Sequence, residues 1–280
     1  MKSLAKLVES YLPLQADQSL YFAPDYLKQL QAIAPTDSVL IFGIENLKEL
    51  RILRRFIRAR RCSIFTWNPV QDYQQNAALR LLHIRALKSL GMKVYTFDPE
   101  DARRHDLTLV PQVYRDVAPY IQTQVSPDID LYFVGQDKGR LPTLQGILHA
   151  AQQAGLRTHF HVTPDKGRTY SAAEKSLLAS SSISYAENLA LINRAHCLVE
   201  VAQPHQSGPT VRSLEAAFFG KKLLTTRASA AQDTWFSPDR VFIAPEAVSQ
   251  LGTWIKQPLP ALEAALLQPH DMLHWCRQFD

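Results

Sequence analysis

Residues Asp130-Leu131-Tyr132-Phe133-Val134 run straight into Gly135-Gln136-Asp137-Lys138-Gly139-Arg140. The residues that follow, Leu141 to Ala154, carry apolar side chains at three- and four-residue spacing. A β-branched and aromatic run, a glycine-containing turn and an amphipathic stretch, in that order, predict strand, loop and helix. The turn puts two glycines and two cations at a strand's C-terminal edge and a helix N-terminus, where free N–H groups and the helix dipole favour an anion. Lys138 and Arg140 would add charge-assisted bonds to a diphosphate held there. The alternative is a turn carrying a solvated charge run.

The same alternation extends outward in both directions. Strands are expected at Val39–Phe42, Ser63–Trp67, Val94–Phe97, Leu131–Val134, Thr158–Val162, Cys197–Val201, Leu223–Thr225 and Val241–Ala244. Helices are expected at Asn46–Arg61, Asn76–Leu90, Leu141–Ala154, Ala186–Arg194, Thr210–Phe219 and Glu246–Ile255. Strands alternating with helices predict βαβ units and parallel sheets, an α/β fold. Pro111, Pro119 and Ser126-Pro127-Asp128 punctuate the middle, so the expected division is residues 1–125 and 126–280, with a C-terminal helix from His270 able to pack back across them.

Composition narrows the function classes. The 280 residues are 46% apolar and 20% charged, enough for a substantial core and unlike coiled-coil, collagenous or disordered chains. Only ten glycines are present, and neither G-x-G-x-x-G nor G-x-x-x-x-G-K-[ST] occurs, which argues against a plain dinucleotide-binding or P-loop enzyme. Cys62, Cys197 and Cys276 are far apart, with no C-x-x-C pair, so a reducing, cytoplasmic setting is expected and neither a zinc ribbon nor a disulfide framework. The start, MKSLAKLVESYLPLQ, is interrupted by Lys6 and Glu9 and lacks the apolar run of a signal peptide, and nowhere do 18 apolar residues run together. A net charge of +5 points to an anionic partner without naming it.

A second loop repeats the pattern of the first. Gln206-Ser207-Gly208-Pro209-Thr210-Val211-Arg212 leads into Ser213-Leu214-Glu215-Ala216-Ala217-Phe218-Phe219, which Gly220-Lys221-Lys222 closes before the next strand. Gly208 permits close backbone approach, and Thr210 stands where an N-cap hydroxyl would also face a phosphate. Glu215 lies one turn into the helix, where a carboxylate can accept two ribose hydroxyls. Gly220 reads as the helix C-cap.

These segments resemble the nucleotide-sugar domain of GT-B glycosyltransferases. More narrowly, Trp67-Asn68-Pro69, Thr96-Phe97-Asp98-Pro99-Glu100-Asp101, Gly135–Arg140, Gln203–Arg212 and Glu215–Leu223 resemble bacterial transferases that build lipopolysaccharide and capsular polysaccharide. The resemblance runs from about Phe65 to Thr226. It implies two Rossmann-like domains facing across a cleft, an acceptor-side domain over 1–125 and a nucleotide-sugar-binding domain over 126–280. Carried over by position, it implies that Gly135, Lys138, Gly139, Arg140, Gly208, Thr210, Arg212 and Glu215 hold a nucleotide-diphosphate sugar. One departure stands out: many retaining members carry a glutamate eight positions before the ribose-binding one, and this chain has Ser207 there.

In the first half, Glu45 and Asp98 follow strands and are the candidate general bases for an acceptor hydroxyl; their alternative is helix capping. The stretch Asn46–Arg61 carries Lys48, Arg51, Arg54, Arg55, Arg58, Arg60 and Arg61 around a leucine stripe, either a solvated face or a surface for an anionic membrane or a phosphorylated lipid-linked acceptor. No aromatic residues interleave with it, so nucleic acid is not an expected partner. Asp128-Ile129-Asp130 precedes a strand instead of following one and reads as a linker, while the pairs His159/His161 and His270/His274 lack a third ligand. No metal and no cofactor are expected. The expected function is a metal-independent glycosyltransferase acting on a lipopolysaccharide or surface-polysaccharide acceptor, cytoplasmic or peripheral on the inner membrane. The alternative is a non-catalytic module that binds an anionic glycolipid or nucleotide.

Overall fold

The computed structural model describes residues 22–44, 46–70, 77–244 and 250–279. Every run expected to form a strand does so: β1 Ser38–Phe42, β2 Arg61–Thr66, β3 Lys93–Thr96, β5 Ile129–Gln136, β6 Thr158–Thr163, β7 Ala195–Glu200, β8 Lys222–Thr225 and β9 Val241–Ile243. A short β4, Thr108–Leu109, is additional. The helices are α1 Pro24–Ala32, α2 Leu47–Phe56, α3 Ala77–Ser89, α4 Pro99–His105, α5 Leu141–Gln153, α6 Ala172–Lys175, α7 Tyr185–Arg194 and α8 Val211–Phe218, followed by short α9 Leu251–Trp254, α10 Ala264–Leu267 and α11 Met272–Cys276. None is long and apolar enough to cross a membrane.

The basic stretch expected as one helix over Asn46–Arg61 is two elements. Asn46 caps α2, its Oδ1 accepting from the Lys48 and Glu49 amides at 2.9 and 3.2 Å. The helix ends at Phe56 because the burial period changes from helical to two: Ile57 and Ala59 are buried, Arg58 and Arg60 exposed. Arg60 then donates its amide to Pro35 O, and Arg61 opens β2. Of the helix expected over 246–255, α9 covers Leu251–Trp254, and 245–249 lie outside the described residues.

Contacts divide the chain into two units, Met1–Phe97 with Asp101–Val110 and Phe279–Asp280, and Asp98–Glu100 with Pro111–Gln278. The division thus falls at 110/111, where the sequence reading placed it near 125. The first unit has a wholly parallel sheet in the order β1-β2-β3-β4. Each crossover steps the same way, so right-handed connections lay the helices on one face. Leu30, Leu50, Leu53, Ile84 and Leu87 from α1, α2 and α3 share one core there with Ile41, Ile64 and Val94. Rings occupy the other face: Phe42 stacks on Phe65 at 5.5 Å, and Tyr95 meets Phe279 edge-on at 4.6 Å.

The second unit has five parallel strands ordered β6-β5-β7-β8-β9. From β5 the chain steps one way to β6, then crosses to the other side of β5 for β7. Helices therefore cover both faces, α5 and α9 over Leu131, Val199 and Leu224, and α7 and α8 over Tyr132, Leu198 and Leu223. The C-terminal segment packs on residues 111–114: Tyr114 donates its amide to His270 O at 2.7 Å, and buried Trp275 donates Nε1 to Pro111 O at 2.7 Å.

Candidate functional site

In an open parallel sheet the ligand crevice lies beyond the C-terminal strand ends where the strand order reverses. Here the reversal falls between β5 and β7. The loops that leave those two strands are Gly135–Arg140 and the segment 201–210.

The first loop is built on Asp137, fully buried although flanked by exposed residues. Its Oδ1 accepts the Leu141 amide at 2.9 Å and so caps α5; its Oδ2 accepts from Tyr170 Oη at 3.0 Å and from Arg168 at 2.5 Å. Held this way, Lys138 takes a left-handed φ of 45° and Gly139 one of 77°, and both are exposed. A lysine in that region is strained. The strain is held by its amide, which donates to Asp165 Oδ1 at 3.0 Å. Arg140 is half-buried, and its buried Nε has no hydrogen-bond partner. Burial holds the Arg140 guanidinium below its usual range, opposed by the charges of Glu200, Asp137 and Asp165 and reinforced by that of Arg212.

The second loop is gripped from beneath by Glu200, the last residue of β7. Its Oε1 accepts from Thr210 Oγ1 at 2.6 Å, Ser213 Oγ at 2.7 Å and the Thr210 amide at 3.1 Å, and its Oε2 accepts from Thr225 Oγ1 at 2.5 Å. Thr210 in turn caps α8, accepting the Arg212 amide at 3.0 Å. Arg227, itself buried, faces Glu200 at 3.5 Å and forks onto Asp233. Burial alone would raise the Glu200 pKa, but Arg227 and the three hydroxyls hold it below the usual carboxylate range; Asp233, with fewer donors, is pushed up by burial.

Asp98 does not stand open as a base. It is fully buried and accepts the Ser207 and Gly208 amides at 2.6 and 2.8 Å, Ser207 Oγ at 2.6 Å and the Glu100 amide at 2.9 Å. The carboxylate caps α4 and anchors the second loop, leaving no face for an acceptor hydroxyl. Glu45 lies outside the described residues.

Glu215 is also inside, 1% exposed. Its Oε1 accepts from Asn188 Nδ2 at 3.0 Å and Tyr185 Oη at 3.2 Å, and its Oε2 pairs with Arg212. Tyr114 and Tyr185 share a hydrogen bond at 2.6 Å, and burial with the Glu215 charge pushes the Tyr185 phenol up to about 12. Arg212 spans from Glu215 to Val134 O at the end of β5 and lies over the Tyr132 ring. The geometry therefore gathers Arg140, Arg212, Gly208, Thr210 and Glu215 around one strand reversal, with the carboxylate under the guanidinium.

Sequence reasoning missed Asp137, Glu200, Arg227 and Asn188. Each is a lone polar residue at a strand end, in a helix or in the loop after a strand, a pattern shared with solvated positions; the usable signal was Glu200 closing the apolar run Cys197–Val199. The other candidates are structural. Asp128 and Asp130 pair with Arg194 and Arg157, and buried His270 meets Gln112 O at 2.7 Å through Nδ1. Among the described residues no group of three His, Cys, Asp or Glu could hold a metal ion.

No family model matches the chain, and no curated protein matches it in sequence. Among solved structures, AviGT4, a glycosyltransferase involved in avilamycin A biosynthesis, matches with a TM-score of 0.53 and 14% identity over 84% of this chain and 77% of its own. The likeness is one of fold. Two looser matches, also at 14% identity, are the sucrose-phosphate synthase from Thermosynechococcus elongatus (TM-score 0.46, 83% of this chain, 71% of that one) and the glycotransferase of kitacinnamycin (0.38, 98% and 84%). The expected fold class, α/β with two parallel sheets as in the GT-B glycosyltransferases, is the one the chain has.

Proposed function

We propose that the chain is a glycosyltransferase that moves a sugar from a nucleotide-diphosphate donor to a lipopolysaccharide or surface-polysaccharide acceptor. The observation that carries this reading is the pair of arginines at the strand reversal, Arg140 with an orphaned buried Nε and Arg212 beside it, next to a threonine-capped helix N-terminus. In transfer, the bond from the sugar's anomeric carbon to the diphosphate breaks, the electron pair leaves on the diphosphate oxygen, and the acceptor hydroxyl oxygen bonds the carbon as its proton passes to the departing diphosphate. Lys138, Arg140 and Arg212 would stabilise the leaving group without a metal, while Gly135, Gly139, Gly208 and Thr210 supply close backbone approach and donors. Glu215 would take the ribose once Arg212 turns from it to the diphosphate. The acceptor is assigned to the first unit, and the cationic surface over 46–61 to an anionic, cytoplasmic membrane face.

Lys138→Ala and Arg140→Ala should each cut sugar transfer strongly with an unchanged thermal melt. Near-normal turnover in both variants would overturn the assignment. One observation favours a second reading: Asp98 and Glu215, the candidate carboxylates among the described residues, are both buried and offer no open carboxylate. A non-catalytic binder of an anionic glycolipid or nucleotide needs none. Thermal shift with a transfer assay separates the two: stabilisation by a nucleoside diphosphate that disappears in Glu215→Ala, together with sugar transfer, supports the enzyme, and stabilisation by nucleotide or anionic lipid without transfer supports the binder.

A further inference from the structure

The residues assigned above to the donor's diphosphate and to its ribose are bonded to each other. Arg212 and Glu215 stand one turn apart on α8 and form an ion pair. The carboxylate side chain is 1% exposed, whereas the arginine over it keeps 15% of its own surface open. Asn188 and Tyr185 of α7 donate to Oε1 at 3.0 and 3.2 Å, so that oxygen is already anchored. Among the described residues Oε2 meets only the Arg212 guanidinium. It is the oxygen left for a diol, and the guanidinium occupies it.

Arg212 has little else to hold it. Its Nη1 lies 3.4 Å from Asn188 Oδ1, which already accepts from Tyr132 Oη at 2.9 Å, and its Nη2 lies 3.4 Å from Val134 O. Both contacts are at the long limit of a hydrogen bond. The Arg212 charge also reaches Arg140, lowering a pKa that burial has already lowered, and the buried Arg140 Nε has no partner. An anion that meets both guanidiniums relieves their repulsion and gives Arg212 a second partner.

Burial sets the energetics. A diol that took Oε2 while Arg212 had no other partner would leave a largely desolvated cation unpaired, the unfavourable way to split a buried pair. A phosphate at Arg140 and Arg212 removes that penalty, and the freed carboxylate then accepts hydroxyls. We propose that Arg212 and Glu215 form a latch that makes ribose recognition conditional on the diphosphate, so that the site takes nucleoside diphosphates and their sugar esters and rejects the free nucleoside. The inference rests on the donor assignment made above and adds to it a selectivity and an order: the diphosphate opens the ribose site. By linkage the effect runs both ways, and a bound diol favours the anion equally.

Titration calorimetry of the full chain in a phosphate-free buffer tests it with uridine, cytidine, adenosine and guanosine, their 5′-diphosphates, and inorganic phosphate. Phosphate is the probe for the paired arginines because it leaves room for a nucleoside's 5′-hydroxyl. At least one 5′-diphosphate should bind, and saturating phosphate should tighten the matching nucleoside by about tenfold, with the nucleoside tightening phosphate by the same factor. In Glu215→Gln, which keeps an acceptor oxygen but releases the guanidinium, phosphate should bind more tightly than to the parent and the coupling should vanish. A glutamate that served only as a ribose ligand would bind nucleoside equally with and without phosphate. The coupling is read on the parent chain, so the test stands even where the variant melts early. The latch is overturned if phosphate does not tighten the nucleoside, or if the coupling persists undiminished in Glu215→Gln. If no 5′-diphosphate binds, the donor assignment falls and the latch with it; binding of a 5′-diphosphate without coupling removes the latch alone.

Discussion

The two sheets are built from the same kind of strand and differ in one step of their order. In the first, β1 to β4 follow one another without reversal, the helices take one face, and aromatic rings take the other. In the second, the step from β6 back across β5 to β7 puts helices on both faces and parts two loops at the strand ends. Buried carboxylates follow that difference. Asp98, Asp137, Glu200 and Glu215 all brace the loops or helix of the second unit, whereas Asp101, the buried carboxylate among the described residues of the first, receives the Val70 amide at 2.7 Å. Where the chain reverses, polar groups are invested in shaping loops; where it does not, charge stays on the surface.

The sharpest break in that comparison should come from Glu200. Truncation in Glu200→Ala leaves Arg227 buried beside Asp233 alone and frees three hydroxyls, with an expected cost of about 3–5 kcal/mol in a denaturant melt. Since the folded pKa of Glu200 lies below its unfolded value, its contribution is fully present above the unfolded carboxylate range and is lost as pH falls through the folded pKa. Glu200→Gln should therefore flatten the acid limb of the stability profile. An unchanged acid limb would show that the carboxylate is not the strut.

Next in size is activity at the reversal. Lys138→Ala and Arg140→Ala should lower turnover by about a hundredfold each if they stabilise the leaving group, and Arg51→Ala in the first unit should leave the turnover of the full chain in solution unchanged. Asp98→Asn sharpens the distinction between anchor and base. Asparagine keeps one acceptor oxygen and turns an NH2 toward donors, so stability should fall by about 1–3 kcal/mol. A general base replaced this way would lose activity with its melt unchanged.

How far the sequence reached follows from range. The strands were legible because short apolar runs with β-branched or aromatic members, such as Val39–Phe42 and Leu223–Thr225, are local signals. The end of α2 was not, because the buried alternation Ile57, Ala59 hides inside an arginine run whose helical spacing continues. Strand order was not legible either: that β7 pairs with β5 and not with β6 is a long-range fact, carried by Leu131 against Cys197 and Tyr132 against Leu198. Of the site, the loop glycines and cations could be read locally. That Glu215 would face Arg212, and that Asp98 would meet Ser207 and Gly208 across more than a hundred residues, could not.

The smallest effect isolates function from backbone cost. Gly220 closes α8 with φ 60°, the Lys221 amide bonding Ala216 O at 2.8 Å and the Gly220 amide bonding Ala217 O at 3.2 Å, which is a Schellman cap. Gly139 has nearly the same conformation at 77°, and an added Cβ would meet nothing within 4 Å at either position. Alanine at each should therefore cost the same, about 1 kcal/mol, from the left-handed backbone alone. Only Gly139 stands in the loop at the strand reversal. If that loop receives a diphosphate, Gly139→Ala should weaken nucleoside-diphosphate binding beyond what its melt explains, and Gly220→Ala, equally destabilised, should bind as the parent does. Equal binding by both variants would separate the left-handed turn of the first loop from ligand recognition and leave its shape to the capping of α5.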